Sequence, residues 1–202
     1  MKEYIAKKTA KPTGACDSVW NSIEPAVLDC VWEDVFPSPY TTLARMVHSD
    51  EGITVKMTSN EWPLRITATE LNDTVCVDSC MEFFFTPNTE DKNYINIEIN
   101  PAGISYVSFG EERHGRRKLD IRSEGIEIET LIRPLEGWEL MLFVPYSFLG
   151  KYFSKVSDVF LGNFYKCGDK TVRQHYSTWN RVTTERPDYH RPECFGKIYL
   201  SL

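Results

Sequence analysis

The chain has 202 residues, 42% of them apolar, enough for one domain with a sizeable core. Its 23 basic and 29 acidic residues give a net charge of −6, and with no long basic tract this argues against nucleic acid as a partner. No stretch approaches the roughly 18 consecutive apolar residues of a membrane span.

Residues 1–14 carry positive charges without an apolar stretch, so they do not read as a signal peptide. The location is therefore expected to be cytoplasmic, or extracellular or periplasmic if a leader has been removed. The first 40 residues are irregular in pattern, with Pro12, Pro25, Pro37 and Pro39 breaking them up. Trp20 and Trp32 are expected to anchor this segment on the main body. Thr42–His48 and Ile53–Thr58 read as a hairpin around Ser49, Asp50, Glu51 and Gly52. Val75–Thr86 is a strong strand-like run closed by Pro87.

In Tyr94–Asn100, Ile95, Ile97 and Ile99 face one way, while Tyr94, Asn96, Glu98 and Asn100 face the other. That alternation predicts a half-buried strand, with Ile104–Phe109 as its partner. A polar loop follows over Gly110–Lys118, with Arg113, His114, Arg116 and Arg117. Further strands are expected at Gly125–Ile132, Trp138–Val144, Val159–Tyr165 and Gly196–Leu200, with one helical turn within Pro145–Phe153. No helix of three turns is indicated. Many short strands at short spacing predict an all-β fold, an antiparallel sandwich or barrel. The whole of 1–202 reads as one domain, with residues 1–40 packed on it.

Familiar catalytic signatures are missing: no nucleophile elbow, phosphate loop, dinucleotide fingerprint or zinc-protease motif. Asp78, Glu82 and Glu98 could supply a carboxylate pair for a glycan hydrolase. Their plainer reading is that alternate polar positions on a strand meet solvent or a loop. Cys76 and Cys80 would sit about 13 Å apart in a straight strand, too far for a disulfide. Cys16, Cys30, Cys167 and Cys194 show no zinc spacing, so free thiols and one or more disulfides both stand open. His114, His175 and His190 have no metal-ligand spacing either. Asp73, Asp78, Asp91 and Asp169 are scattered, which leaves calcium open but unplaced.

Aromatic and basic residues point toward a polar ligand. Trp179 reads either as a core residue or as a platform for a sugar face, with His175 and Asn180 close by in the chain. Trp62 lies before Pro63 in an extended or turn context, flanked by Glu61 and Arg65. Arg116 and Arg117 offer guanidinium forks suited to vicinal hydroxyls, a carboxylate or an acidic sugar, or are simply solvated loop charges.

Taken in order, several stretches resemble the family 9 carbohydrate-binding modules and their family 9-like relatives. They are Asp78–Phe84, Tyr94–Asn100 with Gly103, Trp138-Glu139, Val144-Pro145, Gly162–Tyr165, Trp179, Pro187–Glu193 and Phe195-Gly196. The resemblance implies an immunoglobulin-like or jelly-roll-like β-sandwich that binds mono-, oligo- or polysaccharide without catalysis. It implies that Trp179 and Trp62 clamp a sugar ring, with Asn180 and Arg117 bonding its hydroxyls. Arg65 and His175 are further ligand candidates from the flanking sequence. Calcium is an occasional companion in that family. Two other classes stand beside this one: a hydrolase with a carboxylate pair, and a structural or protein-interaction sandwich. Oligomeric state is left open.

Overall fold

The computed structural model describes residues 1–32 and 36–201. In chain order its strands are β1 (Glu3–Lys8), β2 (Ala26–Val27), β3 (Cys30–Val31), β4 (Thr42–His48), β5 (Gly52–Ser59), β6 (Cys80–Thr86) and β7 (Tyr94–Ile99). There follow β8 (Ser105–Gly110), β9 (Arg117–Lys118), β10 (Glu127–Arg133), β11 (Gly137–Pro145), β12 (Val159–Gly168), β13 (His175–Thr178) and β14 (Gly196–Leu200). Among the described residues one short α-helix, α1 (Tyr146–Leu149), follows β11, as Pro145 predicted. Among the described residues no helix is long and apolar enough to cross a membrane.

The strands form two layers of a sandwich. The first runs β10-β11-β5-β4, and the second runs β14-β12-β6-β7-β8-β9, with β13 and β3 beside the far end of β12. The 42–58 hairpin forms as expected, with Thr42 opposite Ser59 and His48 opposite Ile53. β1 joins the layers. Its start runs parallel to β14, and Lys7 and Lys8 run parallel to the end of β4. The N-terminal segment is therefore less irregular than its prolines suggest, because strand pairing from both layers orders its first residues. Trp20 is buried, as an anchor should be, and its indole N–H donates to the Gly14 carbonyl at 3.0 Å.

The core lies between the layers. From β5 and β11 it takes Ile53, Val55, Met57, Trp138, Leu140, Leu142 and Val144, the alternate positions that the strand period picks out. From the second layer it takes Met81, Phe83, Phe85, Ile95, Ile97, Ile99 and Phe164. Phe83 stacks on Phe85 at 4.5 Å and on Phe164 at 4.8 Å between ring centroids.

Two local expectations change. Val75–Thr86 is not one strand: Val75–Val77 make a 3-10 turn, and the strand begins at Cys80. Asp78 fixes the break, accepting hydrogen bonds from the Thr67 and Ala68 amides, the Thr67 hydroxyl and the Asn100 side chain. β7 is not half-buried but buried on both faces. Its second face, with those of β6 and β12, is covered by the chain around Val182, Tyr189 and Phe195, which builds a second apolar cluster outside the sandwich core.

Candidate functional site

The strand pleat decides which side chains reach that outer face. Cross-strand partners on adjacent strands share a face. Tyr165, Glu82, Glu98 and Tyr106 form one row across β12, β6, β7 and β8, and Tyr176, Cys167 and Cys80 form the next. Over these rows lies a cavity of about 140 Å³. Glu82, Glu98, Cys167 and Phe84 form its floor; Cys76, Asp169, Tyr176 and Arg113 its sides; and Pro187, Asp188, Tyr189 and His190 its cover. At the roughly 30 Å³ that each water occupies in the liquid, the cavity holds on the order of five waters.

The cover is held from beneath. Tyr189 stacks on Tyr165 with centroids 4.2 Å apart, and its hydroxyl donates to the Lys166 carbonyl at 2.8 Å. Tyr165 in turn donates to the Tyr189 carbonyl at 3.2 Å. The Tyr94 hydroxyl shares a 2.8 Å hydrogen bond with His190 Nδ1. Asp188 is clamped by Arg113 at 2.7 Å and Arg191 at 2.8 Å. Arg113 is 53% exposed and stands at the mouth.

The floor is electrostatically unusual. Glu82 and Glu98 stand opposite each other on neighbouring antiparallel strands, with Cβ atoms about 4.5–5.5 Å apart in such pairs. Burial, then the charge of Glu98, pushes Glu82 well above the ordinary carboxylate range. Burial is also the largest cause for Glu98, raised to about 7, and for Asp169, likewise raised. The donors that reach the two glutamates are neutral: the Cys167 thiol donates to Glu82 at 2.8 Å and the Asn96 amide to Glu98 at 2.8 Å. Burial raises the thiols too, Cys80 to about 12, so they stay protonated. His190 is lowered to about 3, by burial first and then by Arg116 and Arg113. All six cysteines are free. The plain reading of Glu82 and Glu98 as solvent-facing strand positions is thus overturned, because the 187–190 segment closes over them. Asp78 is different. Burial opposes its ionisation, but the bonds from Thr67, Ala68 and Asn100 outweigh that and hold its pKa low, as suits a structural anchor.

The ligand candidates chosen from sequence do not gather here. Trp179 is 3% exposed and packs in the core against Phe164 and Tyr4, with centroids 5.8 and 6.3 Å away. A Cβ on Gly196 would lie 2.5 Å from its ring. It has no face to offer a sugar, so the core reading replaces the platform. Asn180 is engaged on both sides: Oδ1 accepts from the Lys2 amide at 2.7 Å and Nδ2 donates to the Cys194 carbonyl at 2.7 Å. Trp62, with a cis bond to Pro63, is half-buried and stands outside the cavity lining. Arg65 sits with Nε 3.7 Å from Asp78. Arg117 is exposed over the Tyr152 ring, while its neighbour Arg116 covers Tyr94 and bonds Asn96, Ser108 and nearby carbonyls.

His175 belongs to a network on the core side of the second layer. It is fully buried beside Lys166 and Glu61, whose Nζ and Oε2 are 2.7 Å apart. Lys166 also donates to His175 Nε2 at 2.9 Å, so the imidazole proton sits on Nδ1 and points to the Arg173 carbonyl at 2.7 Å. Burial, then Lys166, lowers His175 to about 4.

Cys80, Glu82 and Cys167 bring three donor atoms within 4.8 Å of one another, and no other such trio gathers among the described residues. Two thiols suit a soft ion, not calcium, which seeks oxygen ligands. The residues the site uses, Glu82, Glu98, Tyr189 and His190, all lie within stretches that carried the family resemblance. Asp169 stood out in the sequence only as one of four scattered aspartates, and Tyr176 only as a neighbour of His175.

Among solved structures, a Bacteroides uniformis ATCC 8492 protein described as a candidate carbohydrate binder is 28% identical, with a TM-score of 0.86 over 99% of both chains. A family 9 carbohydrate-binding module from Caldicellulosiruptor kristjanssonii, solved with cellotriose, is 13% identical, with a TM-score of 0.70 over 98% of this chain and 93% of that one. The glucose complex of a family 9 module from the same organism gives 13% and 0.73 over 99% and 96%. At 13% identity these last two speak for the fold. No curated protein matches the chain. A sequence profile described as carbohydrate-binding family 9 matches residues 19–200, and the chain therefore belongs to that family.

Proposed function

We propose that the domain is a non-catalytic carbohydrate-binding module and that the cavity under residues 187–190 receives the sugar. The observation that carries this is the floor itself: two buried carboxyls, Glu82 and Glu98, set beneath Tyr176, Tyr189 and His190. Carboxyls bond hydroxyls as acceptors, or as donors when protonated, and aromatic edges and faces receive the C–H side of a pyranose ring. Family membership supports the ligand class, and the two Caldicellulosiruptor modules were solved with cellotriose and glucose. In this reading the aromatic contact passes from Trp179 and Trp62 to Tyr176, Tyr189 and His190.

The hydrolase alternative is poorly served by the same floor. A glycosidase needs its carboxyls on opposite sides of the scissile bond. Glu82 and Glu98 are neighbours on one wall. Isothermal titration with glucose, cellobiose and xylose, repeated on Glu82→Gln and Tyr176→Ala, tests the proposal. Binding by the parent chain that weakens at least tenfold in both variants is expected. Binding that is unchanged in both would move the site elsewhere.

A further inference from the structure

We infer that the cavity prefers a sugar bearing a free, protonated amine, a hexosamine, over a neutral or acidic sugar. This rests on the reading of the cavity as the sugar site.

Acidic side chains outnumber cationic ones inside the cavity. Four carboxyl side chains line it, Glu82, Glu98, Asp169 and Asp188, against one cationic side chain, Arg113. Arg113 is already engaged by Asp188 at 2.7 Å, and Arg191 reaches the same carboxylate from outside. Among the described residues, no ion pair within 4.0 Å engages Glu82, Glu98 or Asp169. Glu82 and Glu98 are 3% and 8% exposed. They are buried acids aimed into a cavity, with only a thiol and an amide donating to them.

The cations nearest the floor are turned away from it. Lys166 lies on the opposite face of the layer, 2.7 Å from Glu61. Arg116 covers the Tyr94 ring, 3.9 Å from its centroid, and donates to the Tyr94 and Gly110 carbonyls. His190 bonds Tyr94. A neutral sugar offers the buried acids hydroxyl partners but no charge to favour their ionised form. An acidic sugar adds a further negative charge, and the arginine loop that could have received it is committed to Asp188, Tyr94 and Tyr152. An ammonium group supplies three donors and the one charge the floor lacks.

The test is isothermal titration of the full chain near pH 7.5 with glucosamine, glucose, N-acetylglucosamine and glucuronate. Glucosamine is expected to bind about tenfold tighter than glucose or N-acetylglucosamine, since a charge-assisted hydrogen bond is roughly twice as strong as a neutral one. Glucuronate is expected to be weakest. In Glu98→Gln and Asp169→Asn, checked for native circular dichroism, the glucosamine-to-glucose ratio should fall toward one. Glucose or N-acetylglucosamine binding as tightly as glucosamine would overturn the inference and leave the sugar site standing. So would chelator-sensitive calcium binding, lost in the same variants, without any amine preference. Failure of every sugar to bind would remove the proposed function itself.

Discussion

Lys166 and Glu61 form an ion pair with no exposed surface on either side chain, 2.7 Å between Nζ and Oε2. Such a pair contributes little net stability when intact, because desolvation offsets attraction, but removing one member strands the other and costs about 3–5 kcal/mol. The local hydrogen bonds place each variant within that range. In Glu61→Gln the stranded ammonium keeps the Cys167 carbonyl at 2.8 Å and His175 Nε2 at 2.9 Å, so the loss should be near 3 kcal/mol, the lower end. In Lys166→Met the carboxylate keeps only the Ser79 hydroxyl at 2.8 Å and His175 loses its donor, so the loss should approach 5 kcal/mol. The double variant strands no charge and should be less destabilised than the sum of the two, by on the order of 2 kcal/mol. Urea unfolding of the four proteins at pH 7 measures the cycle. Single losses below about 1 kcal/mol, or additive ones, would mean that the pair reaches water and is not a buried ion pair.

Three other outcomes are expected. Trp179→Ala should lower unfolding free energy by about 3–5 kcal/mol in denaturant titration while the folded fraction keeps its sugar affinity; lost affinity with intact stability would restore the platform. Glu98 has its pKa raised by folding, so its contribution is full below about 4.5 and is lost as pH rises through about 7. The wild type should therefore lose stability across that window as Glu98 ionises. Glu98→Gln should remove that slope, and identical pH–stability curves for the two proteins would contradict it. His175 and His190 have pKa values lowered by folding, to about 4 and about 3, so their contribution is present above the unfolded value and falls away as pH drops toward them. Their imidazole NMR shifts should stay those of the neutral ring at pH 5.5; a midpoint near 6.5 for either would count against its burial.

The hairpin arms at 42–48 and 53–58 and the apolar face of Trp138–Val144 were legible because a two-residue period maps sequence directly onto the faces of a strand. β1 was not legible. Half of its sequence, Glu3–Lys8, is charged, and it is ordered by parallel pairing with strands nearer the middle and at the end of the chain. The site divides the same way. The stretches Asp78–Phe84, Tyr94–Asn100 and Pro187–Glu193 were marked by resemblance, and the cavity is built largely from them. Trp179 and Asn180 drew attention for their chemistry, yet Gly196, Lys2 and Cys194 close over them.

By itself, then, the sequence determined an all-β chain, the side of each main strand on which its apolar residues fall, and the family. It could do so because pleat and period are local properties. Which polar face would be sealed was decided only by tertiary structure. Glu82, Glu98 and Cys167 become the floor of a cavity when the 187–190 segment docks on β7 through Tyr94 and His190, residues 96 positions apart. The alternation in Tyr94–Asn100 reads the same whether its second face meets water or a folded tail, because the period carries no information about what comes to rest on it.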